Sequence, residues 1–516
     1  MKYNELTFHE RLIMYTNPII YADYSDPDPV RVGDDFYMVA SSFTYLPGVP
    51  ILHSKDLVHW ELINYAVKSL PFDKYKVPSH GSGTWAPSIR YHNGEFFIFI
   101  PLVDEGIMVA RSKDIRGEFK LNMLTHTKGW IDPCPLWDDD GRTYMVFAFA
   151  GSRAGIKNRL ALIEIDAECT KTIGDYSVIF RGELIADTCE GPKAYKRNGY
   201  YYILFPAGGV KSGWQACIRA KDIHGPYEYK PVMHQGPSSI TGPHQGGWVS
   251  APDGSDWFLH FQDVYELGRI IHLQPMRFTE EDWPVIGFDK DGDGIGEPVY
   301  EWPEPVKDGP HYSLEVSDEF DSDKLSLQWQ WQANPDESNY SLTERKGYLR
   351  MYPWKNDKRD NLLWYAPNAL TEIPQSDSFI AGSYLELNGK KDGDFAAIGM
   401  IGHRYGYIGL YYEKGEYSIR VYSGHVTAIT YEGEAEEELL YSERIDTDKV
   451  YLRIDLRKDK NYFLSYSLDG VTYKTINHIF TLEAATWTGA KLMLWCANKE
   501  NNDSVGYADF DYFRVN

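Results

Sequence analysis

The sequence predicts an all-β protein: a five-bladed β-propeller followed by a β-sandwich of jelly-roll type. Three observations predict it. Of the 516 residues, 15% are aromatic, and 44 Gly and 28 Pro supply turns, a composition that favours strands over helices. One phrase recurs five times before residue 287: proline, a short apolar stretch, a Gly-containing turn, then an aromatic strand. Beyond residue 313, period-two alternation continues without that phrase.

The copies run in order. They are DPDPVRVGDDFYMVAS from Asp26, APSIRYHNGEFFIFIP from Ala86, DPCPLWDDDGRTYMVFAF from Asp132, EGPKAYKRNGYYYILFP from Glu190 and HQGGWVSAPDGSDWFLHFQ from His244. In the first four, the prolines at 27, 87, 133 and 192 lie 60, 46 and 59 residues apart. Their turns, VGDD, HNGE, DDGR, RNGY and PDGS, carry the Asn-Gly and Asp-Gly chemistry of hairpins. Most copies add a second hairpin ending in a phrase such as HSKDLVHW or IRAKDIHGPYEY. Four strands per copy, five times over, is a propeller. The stretch GFDKDGDGIGEPVYEWPEPVKDGP then breaks the pattern with Gly, Pro and acid. The domains are therefore placed at 1–300 (propeller), 301–312 (linker) and 313–516 (sandwich). Strands of the last are read from GYLRMYP, SYLELNG, YIGLYYEKGEYSIRVYSG, VYLRIDLRKDKNYFLSYSLDG and ADFDYFRVN.

Charge narrows the partners. With 75 acidic and 52 basic residues the net charge is −23, a field that repels nucleic acid and anionic membranes. Cys134, Cys169, Cys189, Cys217 and Cys496 form no CxxC pair and read as free thiols of a reducing compartment. The start, MKYNELTFHERLIMYTNPII, lacks the apolar run of an export signal, so a cytoplasmic location is expected. The GxSxG elbow, HExxH, Walker loop and strand-following GxGxxG are missing, which excludes serine hydrolase, zinc protease and nucleotide-dependent classes.

A propeller gathers the first strand of every blade around one channel, so the residues opening the copies share a space. These are Asp26, Ala86, Asp132, Glu190 and His244. Three like charges crowded together raise at least one pKa, as general acid catalysis at neutral pH requires. The competing reading is that Asp-Pro pairs merely cap strands and turns.

The runs NPIIYADYSDPDPVRVGDDFYMVASSF, WIDPCPLWDDDG and TCEGPKAYKRNGYYY closely resemble glycoside hydrolase family 43. The resemblance spans the whole propeller. The C-terminal half, opening with SDEFDSDKLSLQWQW, resembles the concanavalin-like sandwich attached to many xylosidase-type members. It implies an exo-acting, inverting β-xylosidase or α-L-arabinofuranosidase working on hemicellulose-derived oligosaccharides without an organic cofactor. By the same resemblance Asp26 is the general base, seven residues before Gly33, with Asp28 the alternative. Asp132 tunes and orients the acid, and Glu190 is that acid. Phe43 in SSFTYLPGVP resembles the family's apolar wall beside the terminal sugar, Trp85 in TWAPSIR stands at the second repeat's opening, and Arg269 in LGRIIHLQPM resembles an arginine that binds the sugar's hydroxyls. Trp214 and Trp248 are further candidate sugar platforms, since sugar C–H faces pack on aromatic rings.

His244 in GPHQGG resembles a histidine that sits near a channel calcium in some relatives, although calcium prefers oxygen ligands. Asp289, Asp291 and Asp293 have the one-three-five spacing of a calcium loop, but position twelve is Tyr300 rather than Glu. Two other functions compete. A retaining, invertase-like fructosidase predicts a WMNDPNG-like segment and an Arg-Asp-Pro, where this chain has YSDPDP and Ile131-Asp132-Pro133. A non-catalytic carbohydrate-binding propeller predicts that the carboxylates have lost their work.

Overall fold

A computed structural model describes residues 13–307, 309–356, 360–428 and 434–516. Most of the N-terminal run read for an export signal, residues 1–12, lies outside them. Five four-stranded antiparallel sheets follow one another along the chain. The first takes Asp28–Val32, Asp35–Val39, Gly48–Ser54 and Trp60–Val67. The others start at Ser88–His92, Trp130–Trp137, Lys193–Arg197 and His244–Ser250, and the last ends at Pro284–Ile286. Among the described residues the only α-helical turn is Gly151–Ala154.

Strand alternation explains the ring. In Glu95–Leu102, Phe96, Ile98 and Ile100 pack against Val39 and Ile51 of the first sheet. Phe97 and Phe99, pointing the other way, meet Met145 and Phe147 of the third. The seam recurs through Val146 with Phe205, Leu204 with Phe258, and finally Phe261 with Phe36 and Met38, which closes the circle. Middle strands are thus buried on both faces, which is why TYMVFAF reads as a continuous apolar run. The hairpins turn where expected: Asn93-Gly94 and Asn198-Gly199 take φ of 50° and 80°, and 50° and 75°, values that favour Asn and Gly. Met14–Thr16 pairs with Glu301–Pro303, so the start of the predicted linker forms a strand with the N-terminal segment.

The C-terminal region is a sandwich of a seven-stranded and a nine-stranded sheet around one large apolar core. It grips the propeller at several points. Leu46 and Trp331 exchange backbone hydrogen bonds, and His80 stacks on Trp364 at 3.6 Å. Leu267, from the propeller turn Tyr265–Leu267, is inserted into the sandwich core.

Candidate active site

All five residues that open the repeats, Asp26, Ala86, Asp132, Glu190 and His244, line one cavity of about 510 Å³. The backbone aims them. Asp26 and Asp132 hold φ of 59° and 55°, a left-handed conformation that Asp tolerates better than most residues. Pairing of the third sheet slips by one residue between Ile131 and Cys134, and that bulge turns Asp132 out of the ladder. A second slip, between His244 and Gly246, does the same at the fifth sheet.

Asp26, 4% exposed, accepts from the Arg269 guanidinium at 3.0 Å through Oδ1 and from the Ser41 hydroxyl at 2.5 Å through Oδ2. The Arg269 guanidinium itself lies over the Phe261 ring at 4.7 Å. Asp132 is 3% exposed, and its Oδ2 accepts the backbone N–H of Gly191 at 2.7 Å. Since Gly191 follows Glu190, this bond fixes the backbone that carries the Glu190 side chain. A Cβ on Gly191 would stand 2.8 Å from Pro206 Cδ, so the position admits only glycine without a shift. Burial pushes Glu190 up to about 8, reinforced by the charges of Asp132 and Asp26 and opposed by Arg269. Burial likewise pushes Asp132 up to about 7, against the Gly191 hydrogen bond.

Asp28, the alternative base, is not among the residues lining the cavity. It is fully buried, and its Oδ2 accepts from Ile89 N at 2.8 Å and from Arg90 at 2.7 Å, tying the first blade to the second. Phe43 and Trp85 form an edge-to-face pair at 6.0 Å on the cavity wall. The Trp85 indole N–H is buried without a protein acceptor. Trp214 and Trp248 do not reach the cavity, contrary to the sequence expectation. The Trp214 indole N–H bonds the Tyr229 hydroxyl at 3.2 Å and its ring packs on Gly208. Trp248 bonds Asp256 at 2.8 Å and packs between Tyr195 and Phe278 in the seam of blades four and five.

His244 is buried, and desolvation lowers it to about 4, so it lines the pocket as a neutral ring with Nδ1 unpartnered. Among the described residues no group of three His, Cys, Asp or Glu ligands converges there. An orphaned nitrogen invites a water, but one imidazole is not an oxygen cage for calcium. In the acidic loop, Asp289 spends both oxygens on protein donors: Gly292 N at 2.8 Å, Gly294 N at 3.2 Å and Arg277 at 3.0 Å. Asp293 accepts from Ile295 N at 2.8 Å, and among the described residues no cluster of potential metal ligands includes Asp289, Asp291 or Asp293.

Two contributions escaped the sequence reading. Trp487 belongs to the sandwich, yet its ring lies 6.2 Å from Trp85 and lines the same cavity while remaining 51% exposed. Asn158 also lines the cavity. Its amide holds Asp187 at 2.6 Å and accepts Thr188 N at 2.7 Å, bracing the segment that leads to Glu190.

A pocket at the hub of a five-bladed propeller, lined by three carboxylates and by aromatic rings, defines a glycosidase. The comparisons agree: residues 15–284 match the family described as Glycosyl hydrolases family 43, and residues 317–516 match Beta xylosidase C-terminal Concanavalin A-like domain. The chain belongs to glycosyl hydrolase family 43. It is 30% identical to a beta-xylosidase of Formosa agariphila over 97% of this chain and 90% of that protein. It is 32% identical to the non-reducing end alpha-L-arabinofuranosidase BoGH43B of Bacteroides ovatus, over 65% of this chain and 64% of that one. The crystal structure of xylan beta-1,4-xylosidase from Bacillus halodurans superposes with a TM-score of 0.82 at 25% identity, covering 97% and 99% of the two chains.

Proposed function

We propose that the protein is an exo-acting, inverting glycosidase that removes a terminal β-D-xylosyl or α-L-arabinofuranosyl residue from short hemicellulose-derived oligosaccharides. The observation that carries this reading is the gathering of Asp26, Asp132 and Glu190 in one cavity at the hub, with Trp487 of the sandwich beside its aromatic wall. The names of the relatives support a pentose as the sugar released.

In this reading the terminal sugar packs on Phe43 and Trp85, and Arg269 stands within reach of its hydroxyls. Glu190, kept protonated near neutral pH by burial and by its carboxylate neighbours, delivers its proton to the glycosidic oxygen as the bond to the anomeric carbon breaks. A water on the opposite face adds to that carbon and loses its proton to Asp26, whose oxygens both accept hydrogen bonds as a carboxylate's do. Asp132 touches neither the water nor the leaving group. It holds Gly191 and so sets the aim of Glu190, and its charge raises the pKa of that acid. No organic cofactor enters these steps.

The test pairs 4-nitrophenyl β-D-xylopyranoside with 4-nitrophenyl α-L-arabinofuranoside, and follows the first sugar released from xylotriose by proton NMR. The reading expects turnover of at least one pentoside and, when the xyloside is turned over, α-xylose as the first-formed anomer from xylotriose. β-Xylose appearing first, cleavage within the chain, or turnover of neither pentoside contradicts it.

A further inference from the structure

Asp23 lies three residues before Asp26, ahead of the first repeat's opening, and is not among the residues lining the cavity. Its side chain is 6% exposed and ties together segments far apart in sequence. Oδ1 accepts the backbone N–H of Arg269 at 2.9 Å and the Ser25 hydroxyl at 3.1 Å. Oδ2 accepts the backbone N–H of Gly489, from the sandwich, at 2.8 Å. Arg269 is the residue whose guanidinium holds Asp26, and Gly489 lies two residues beyond Trp487. One buried carboxylate therefore joins the propeller's ion pair to the loop that brings the sandwich's ring to the cavity.

The surroundings are shaped to let it in. A Cβ on Gly268 would stand 2.2 Å from the Asp23 carboxyl carbon, and one on Gly489 would stand 2.3 Å from the Leu267 carbonyl carbon. Beside them, Ala490 N donates to Glu266 O at 2.8 Å. Lys491, buried at the start of the strand Lys491–Asn498 that follows this loop and with its ammonium 4.5 Å over the Tyr45 ring, interacts favourably with the Asp23 charge. A carboxylate accepting backbone N–H groups in such a site makes bonds stronger than neutral ones.

We propose that Asp23 is a positioning residue for hydrolysis. It fixes the Trp487 loop and Arg269 relative to each other, so that the sandwich's ring and Asp26 close on the same sugar. The proposal rests on reading the cavity as the pentose site.

Two measurements on the full chain test it. The first is a kinetic cycle on the better of the two nitrophenyl pentosides, using Asp23→Ala, Trp487→Ala, the double variant, and Asp23→Asn as the shape-preserving change. Loss of the three hydrogen bonds that the carboxylate accepts is expected to raise KM about tenfold with a smaller change in kcat. Asp23→Asn, which keeps one acceptor oxygen, falls between Asp23→Ala and the wild type. In the Trp487→Ala background, Asp23→Ala is expected to raise KM by no more than about threefold, because the ring it positions is gone. A full second tenfold loss there shows that Asp23 does not act through Trp487 and overturns the proposal. If Asp23→Ala does not fold, Asp23→Asn carries the same cycle, and a loss as large in the Trp487→Ala background as in the wild type overturns the proposal. The second measurement needs no substrate. Asp23→Asn is expected to speed amide hydrogen exchange across residues 485–490 about tenfold, reflecting the lost Gly489 anchor. Unchanged exchange in that segment overturns the proposal even if the pentose reading holds, and a wild type inactive on both pentosides counts against that reading alone.

Discussion

Replacing Glu190 by glutamine keeps the side chain's shape and removes its transferable proton. The structure sets the size of the effect. An unperturbed glutamic acid at 4.5 is protonated in about one molecule in 300 at pH 7, whereas at about 8 roughly nine in ten carry the proton. Burial beside Asp132 and Asp26 thus enlarges the working population about 300-fold. A positioned acid in turn contributes on the order of 100- to 10,000-fold to the rate. Xylobiose leaves as a poor alkoxide and needs that proton, whereas 4-nitrophenolate does not. Steady-state rates of Glu190→Gln are therefore expected to fall at least about 100-fold on xylobiose and by less than about tenfold on the nitrophenyl glycoside. The wild type loses activity as pH rises through about 8, where Glu190 gives up its proton, and the variant loses that alkaline limb on the aryl substrate. Equal losses on both substrates, or an alkaline limb that survives the substitution, refute the assignment of Glu190 as the acid.

Three further outcomes follow from the same geometry. Trp487→Ala removes the sandwich's ring from the cavity and is expected to raise KM for xylobiose about tenfold with kcat within about threefold, read from initial rates. Asp28→Ala leaves the half-buried Arg90 guanidinium without its carboxylate and is expected to cost about 3 kcal/mol in urea unfolding, whereas Asp26→Asn abolishes turnover with a smaller loss of stability. Glu190→Gln also changes stability with pH. The folded-state pKa of about 8 lies above the ordinary 4.5, so between these values the unfolded chain releases a proton that the folded chain keeps, and wild-type stability falls as pH rises. Glutamine removes that dependence, so the Tm of the variant relative to the wild type is expected to climb from pH 5 to pH 8 in differential scanning calorimetry.

The propeller was legible because each blade repeats one sentence of chemistry. Proline near the opening of the first four copies, a carboxylate at three of the five openings, Asn-Gly or Asp-Gly at four of the five turns, and an aromatic strand buried on both faces recur in register. Convergence of Asp26, Asp132 and Glu190 follows from that register alone. The means of aiming them did not show, because a one-residue bulge at Asp132 and its φ of 55° leave no mark on composition. Trp214 and Trp248 were misplaced for a related reason: alternation says that a ring leaves the sheet, but in a blade both faces are buried, so it cannot say which ring meets the cavity. Trp487 was invisible because it lies in a turn of a separate domain, outside every repeat. Its partner in that contact, Trp85, was found because it immediately precedes a repeat's opening residue.

The most direct test is a crystal structure of the Glu190→Gln variant soaked with xylobiose. The non-reducing xylose is expected in the hub cavity, its ring against Phe43 and Trp85, its glycosidic oxygen at the substituted side chain of position 190, and a water between the anomeric carbon and Asp26. Sugar bound elsewhere, or a glycosidic oxygen out of reach of that side chain, contradicts it.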